Sequence, residues 1–194
     1  MRMTNTGKTS WFLAALMGMN ASQGAAEERG IPEIAAARAE QVEAMRARGE
    51  DEGVGTYGVP MSVLVGAGYV DGTRSWKEPS TATWSGKEGV NSAADFIRNA
   101  DAQMDAYVFY LNGAFEHMSV RKPEIRIELD GETYGIRDVM KIAAYAKPHE
   151  LVDFVMSGDA KSLDVAAKKA GYENGRTLAR TVFQTEPELP SASL

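Results

Sequence analysis

Few kinds of side chain in this sequence can do polar chemistry. Cysteine is absent, and histidine occurs only at His117 and His149. The first absence removes thiol nucleophiles, disulfides and cysteine-ligated metals. Two distant histidines argue against a histidine-rich metal site and leave a His-dependent triad few candidates. No metal and no cofactor is expected. Carboxylates remain for acid–base work. Glu27 and Glu28 stand together near the N-terminus, where they read either as an acid pair or as the charged start of a helix. Glu88 and Asp95 read as loop and cap residues, and Asp105 and Glu116 as the solvated face of a helix. His117 reads as a surface residue near a helix C-terminus, where its charge suits the dipole, and His149 as a first-turn residue. Tyr57, Tyr69, Trp84 and Tyr145 could line a sugar-binding groove by stacking on pyranose faces, or could equally be core. The first three belong to two phrases dense in glycine, aromatic and small residues, Tyr57–Tyr69 and Trp84–Phe96, with a composition that suits a shaped cleft.

The elements that must position these residues come from a chain of ordinary globular composition. It has 194 residues, 44% apolar and 25% charged, enough for one domain with a real core. The net charge of −6 argues against nucleic acid as a partner, since no basic stripe is available to meet phosphates. No run reaches the roughly 20 apolar residues that span a bilayer, so no membrane span is expected. At the N-terminus, Arg2 and Lys8 precede an apolar run from Trp11 to Met19 and small residues up to Ala26. Two readings fit: a secretory signal, or an amphipathic first helix over 10–22 capped by Thr9 or Ser10.

Pro32 begins a mostly solvated helix to Arg48, within a possible inserted segment 28–50, and Gly49–Gly55 is a flexible acidic loop. Pro60 starts a short helix that ends at Gly66 or Gly68, and 72–83 is a surface loop. Asn91 or Ser92 caps one helix, with Asp95 as the shorter acid of a capping box, and Asn99 caps the next. Met104, Tyr107, Val108, Leu111, Phe115 and Met118 follow the helical period over four turns. Ile125, Ile127 and Leu129 alternate with charged residues before Asp130-Gly131, which predicts a hairpin near 124–135. Asp138 is expected to cap a helix to Ala146, Pro148 to open another that Ser157-Gly158 ends, and Ser162 to cap a third. Asn174-Gly175 is expected to turn into a last helical piece, Thr177–Phe183. The reading is a mainly α fold, one domain over 1–183, with a disordered tail at 184–194.

These phrases resemble the lysozyme-like fold of lytic transglycosylases and goose-type lysozymes, closest in kind to cell-wall-cleaving modules of phage tail and type VI secretion proteins. Gly55, Tyr57, Leu64, Ala67, Gly68 and Tyr69 match the family's first phrase. Trp84, Gly86, Lys87, Gly89, Val90, Asn91, Ser92, Asp95, Phe96, Asn99 and Gln103 match its second, and Ala143, Ala144, Phe154, Ser157 and Gly158 its third. The departures fall on polar positions. The family's helix acid corresponds to Asn20, its glutamine after the tyrosine to Gly58, the glycine that follows to Pro60, its glutamate to Met61 and its late histidine to Tyr145. Glycosidic cleavage needs a carboxylic acid to protonate the leaving oxygen, and an amide cannot do so.

The resemblance therefore implies a degenerate peptidoglycan-directed module, a structural or glycan-binding part of a phage tail or secretion-type machine. Its partners would be the peptidoglycan glycan strand or a larger protein assembly. Its place would be periplasmic or secreted if 1–26 is a signal, and otherwise a virion or secretion machine. Two alternatives stay open: an active muramidase or lytic transglycosylase with a relocated acid, Glu27 or Glu28, and an unrelated helical adaptor.

Overall fold

The computed structural model describes residues 30–50, 53–73 and 78–184. Among these the chain is mainly helical, with one two-stranded antiparallel hairpin. The helix expected over 10–22, the signal-peptide reading, Asn20, Glu27, Glu28 and the tail from residue 185 lie outside the described residues.

In chain order the helices are α1 (Ile31–Ala47), α2 (Met61–Gly66), α3 (Ala93–Arg98), α4 (Ala100–Arg121), α5 (Ile136–Lys141), α6 (Pro148–Ser157), α7 (Asp164–Lys169) and α8 (Gly175–Gln184). The strands β1 (Ile127–Leu129) and β2 (Glu132–Tyr134) lie between α4 and α5. α4 is the axis of the fold, and α1, α2, α3 and α6 all pack against it. Its periodic face buries Tyr107, Leu111 and Met118, each contributing about 1.5–3 kcal/mol by leaving water. α8 closes the far end against α5, α7 and the 3-10 turn at Ala160–Leu163. No helix among the described residues is long and apolar enough to cross a membrane.

Local capping chemistry accounts for several helix starts. Asn99 Oδ1 accepts the Ala102 N–H at 3.0 Å. Ser92 Oγ accepts the Asp95 N–H at 3.1 Å, while the Asp95 carboxylate reaches back to the Asn91 N–H at 3.2 Å. The aspartate thus completes the box one residue before the cap. In the hairpin, Asp130 and Gly131 both take left-handed backbone angles, φ 56° and 87°, the tight turn that matches strand twist. Ile125, Ile127 and Leu129 are all buried.

Four expectations are corrected. α1 is packed rather than solvated: Ile34, Ala35, Arg38, Val42 and Met45 form a buried stripe. The stripe is hard to see in sequence because an arginine occupies one of its inward positions. Asp138 is not a cap but a first-turn residue paired with Lys141, because the helix begins two residues earlier after Gly135. Asp159, not Ser162, caps the segment that leads to α7, by accepting the Lys161 N–H at 3.0 Å. Asn174-Gly175 is no free turn: Asn174 Oδ1 accepts the Thr177 N–H at 2.9 Å and opens α8.

Two contacts seat α8. A Cβ on Gly175 would fall on the Ala160 carbonyl oxygen and approach Leu163 Cβ to 2.8 Å, so only glycine allows this approach. From the first two turns of the same helix, Arg176 and Arg180, one turn apart, grip the Asp130 carboxylate at the hairpin tip. Nε of Arg176 lies 2.9 Å from Oδ1 and Nε of Arg180 lies 2.8 Å from Oδ2. Phe183 stacks on Tyr134 with centroids 4.2 Å apart.

Gly175→Ala should lower stability by about 1–3 kcal/mol through overpacking, read as a reduced denaturation midpoint; an unchanged midpoint would contradict this seating. Hydrogen bonds from Arg180 and then Arg176 hold the Asp130 carboxyl below the usual carboxylate range. A depressed folded-state pKa stabilises above the unfolded value of about 3.9 and is lost as pH falls through the folded one. Asp130→Asn should therefore melt below the wild type at pH 7, with the gap closing as pH falls below about 4.

Candidate functional site

The first family-like phrase begins in a tight turn. Val54 and Val59 exchange both backbone hydrogen bonds at 2.9 Å, enclosing Gly55–Gly58. The turn is held by three long side chains from two helices. Arg38 of α1 donates from Nε to the Tyr57 carbonyl at 3.1 Å. Arg46, two turns on, donates from Nη2 to the Gly55 carbonyl at 2.6 Å and the Gly53 carbonyl at 3.2 Å. Gln103 of α4 accepts the Thr56 N–H at 2.6 Å and donates to the Ile97 carbonyl at 2.8 Å. Arg38 and Gln103 are only 5% and 4% exposed, so these bonds form where water does not compete. Gly55 is required twice over: its φ is 73°, and a Cβ there would strike Gln103 Oε1.

On one side the turn borders a cleft of about 660 Å³, lined by Arg46, Gly53–Thr56, Met61, Pro79, Ala93 and Ile97. Its described lining holds one cation and no carboxylate. Pro79 is backed by Trp84, whose Nε1–H donates to the Pro79 carbonyl at 3.3 Å.

The turn also carries an aromatic cluster. Tyr57 is half-buried and stacks on Tyr107, centroids 4.9 Å apart at 18°. The Tyr107 hydroxyl donates to the Ala143 carbonyl at 3.4 Å, and Arg38 Nη1 to the Ala144 carbonyl at 3.5 Å. These contacts bring Tyr57 into the neighbourhood of Tyr145, which is half-buried and meets Tyr172 edge-on. Burial raises the pKa of Tyr107, with Arg38 opposing. Burial, then Tyr172 and Glu40, raises that of Tyr145.

Of the four aromatics expected to meet a sugar, Tyr57 and Tyr145 share one region and keep exposed surface. Tyr69 does not. It is 0% exposed, so its ring has no face to offer. Its hydroxyl lies 3.0 Å from both Glu88 Oε2 and Asp105 Oδ2, while Lys87 Nζ sits 4.2 Å from its ring centroid and bonds Asp105 at 2.6 Å. Burial first, then the two carboxylates, pushes the Tyr69 hydroxyl pKa upward. Trp84 is half-buried with its ring against Phe96, centroids 5.8 Å apart, and serves as backing for the cleft wall. Asp105, expected on the solvated face of α4, is exposed but engaged by this knot. His117 and His149 are both exposed, at the end of α4 and the start of α6.

The family-like second phrase is therefore an architectural unit. Lys87 and Glu88 lock Tyr69, Val90 and Phe96 fill the core, Ser92 and Asn99 cap α3 and α4, and Gln103 holds the turn. Arg38 and Arg46 are functional candidates that sequence reasoning missed. The available signal was an arginine at a core-facing helical spacing, with a second arginine two turns on. Among the described residues, three or more metal-ligating side chains do not converge. No protein-family model, no curated protein and no solved structure matches the chain.

Gln103→Leu keeps the bulk but leaves the Thr56 N–H and the Ile97 carbonyl without their partner. It should cost about 1–3 kcal/mol and speed exchange of the Thr56 amide; unchanged protection there would show that the turn does not depend on Gln103.

Proposed function

We propose that this chain is a lysozyme-like, peptidoglycan-directed module that holds a glycan strand without cleaving it, as a structural or glycan-binding component of a phage tail or secretion-type machine. The observation that carries the reading is the cleft beside the 53–59 turn. Met61, at the position of a glutamate in the resembled family, lines that cleft, and no carboxylate does so among the described residues. A thioether cannot protonate a leaving oxygen, and a wall of backbone, proline, alanine, isoleucine and threonine offers shape and hydrogen bonds rather than acid catalysis. Such a mixed apolar and polar lining, with Arg46 as its one described charge, suits binding of a compact sugar ring with polar substituents. A strand of several sugars that crossed the turn would meet the cleft on one side and the partly exposed Tyr57 ring on the other.

Ile97 is 56% exposed on the cleft wall, so Ile97→Asp should leave stability within about 0.5 kcal/mol while it weakens binding. Purified protein is expected to co-sediment with insoluble peptidoglycan, to leave the suspension turbid, and to lose several-fold in bound fraction on Ile97→Asp. Clearing of the suspension would replace this reading with an active muramidase or transglycosylase. Failure to co-sediment would remove the glycan reading.

A further inference from the structure

Arg46 differs from the other described arginines whose ion pairs are on view. Arg48, Arg98, Arg126, Arg176 and Arg180 each face a carboxylate. Arg46 faces two backbone carbonyls through Nη2, and among the described residues no carboxylate lies within ion-pair distance of it. Carbonyl dipoles orient a guanidinium without neutralising it. Nε and Nη1 keep their N–H groups, and the charge stands at the edge of a cleft whose other described lining is neutral. The chain carries net charge −6, yet no carboxylate among the described residues pairs with this cation. Beside it, Met61, Pro79, Ala93 and Ile97 form an apolar wall, and Thr56 adds a hydroxyl on the turn.

We propose that Arg46 makes the cleft selective for a carboxylate carried next to small apolar groups. This rests on the peptidoglycan reading above and names the chemical group on the strand that the site recognises. Two sources on such a strand carry that chemistry: the lactyl ether of a muramic acid sugar without its peptide, and the carboxylates of a stem peptide. In the lactyl group and in an alanine C-terminus of the stem peptide, a methyl group flanks the carboxylate and matches the apolar wall, while the guanidinium supplies a charge-assisted hydrogen bond. α1, which holds Arg46, lies within the 28–50 segment, outside the stretches that carry the family likeness, so this contact is a property of this chain.

The test is the affinity of the full chain for soluble fragments, measured by calorimetry. The fragments are peptide-free glycan strands with free lactyl carboxylates, the same strands with those groups converted to methylamides, muropeptides bearing a stem peptide, and neutral N-acetylglucosamine oligomers. The wild type is expected to bind at least one carboxylate-bearing fragment about tenfold or more tightly than the amidated strand and the neutral oligomer, the scale of a charge-assisted contact. Preference for the peptide-free strand assigns the lactyl group, and preference for the muropeptide assigns the stem peptide. Arg46→Met should abolish the preference for a carboxylate-bearing fragment over its amidated counterpart, whatever change in overall affinity the loosened turn brings; a preference that survives the substitution overturns the assignment to Arg46. Should that variant fail to fold, the Arg46 Nε–H resonance of the labelled wild type is expected to shift on titration with the preferred fragment and not with the amidated strand; absence of that shift overturns the assignment to Arg46. Equal affinity for all fragments overturns carboxylate selectivity and leaves glycan binding standing. Absence of binding to every fragment overturns both.

Discussion

Everything proposed for this protein depends on how one turn satisfies its backbone. Val54, Gly55, Gly58 and Val59 are buried in this turn, and a buried polar group that lacks a partner costs as much as a lost hydrogen bond. Within the turn, Val54 and Val59 satisfy one another. Gly58 N–H adds a bond to the Gly55 carbonyl, and four further bonds come from side chains of two helices: Arg38 at the Tyr57 carbonyl, Arg46 at those of Gly53 and Gly55, and Gln103 at the Thr56 amide. The same three residues tie α1 to α4. Arg38 reaches onward to Ala144, so the segment that carries Tyr145 is registered against the turn by the same guanidinium. Charged donors suit this role because their bonds to carbonyls are stronger than neutral ones.

This constraint gives the Trp84–Gln103 stretch its structural role. The Trp84–Gln103 stretch builds caps, buries Phe96 and Val90, locks Tyr69 and delivers Gln103 to the turn. Each of those duties is a folding duty and is indifferent to whether a bond is cleaved nearby. Met61 lines the cleft, and Gly58 is buried inside the turn with φ 58°.

Much of the fold was legible in the sequence because its signals are local. Asn99 and Ser92 as caps, the Asp130-Gly131 turn, the alternation of Ile125, Ile127 and Leu129, and the helical period of α4 each involve residues within a turn or two. What was not legible was tertiary. α1 reads as solvated because its buried stripe includes Arg38 and Ala35, neither of which announces a core face. α5 and α7 start after Gly135 and Leu163 with no side-chain cap to mark them, while Asn174 opens α8 by accepting the Thr177 N–H. At the site, Tyr69 and Tyr57 look alike in sequence. Only the Lys87–Asp105–Glu88 knot, closed from α4, buries one of them. The cation in the cleft was invisible for the same reason, since Arg46 meets the turn only when α1 packs. The N-terminal candidates Asn20, Glu27 and Glu28 lie outside the described residues.

The most direct measurement of the account is an NMR titration of isotope-labelled protein with soluble peptidoglycan strands, with the sugar products followed by mass spectrometry in the same tube. The account predicts saturable shifts at the amides of Gly53, Thr56, Met61 and Ile97, with the strands recovered at their original length. Shifts centred elsewhere, such as the 127–134 hairpin, or shortened strands in the tube, would contradict it.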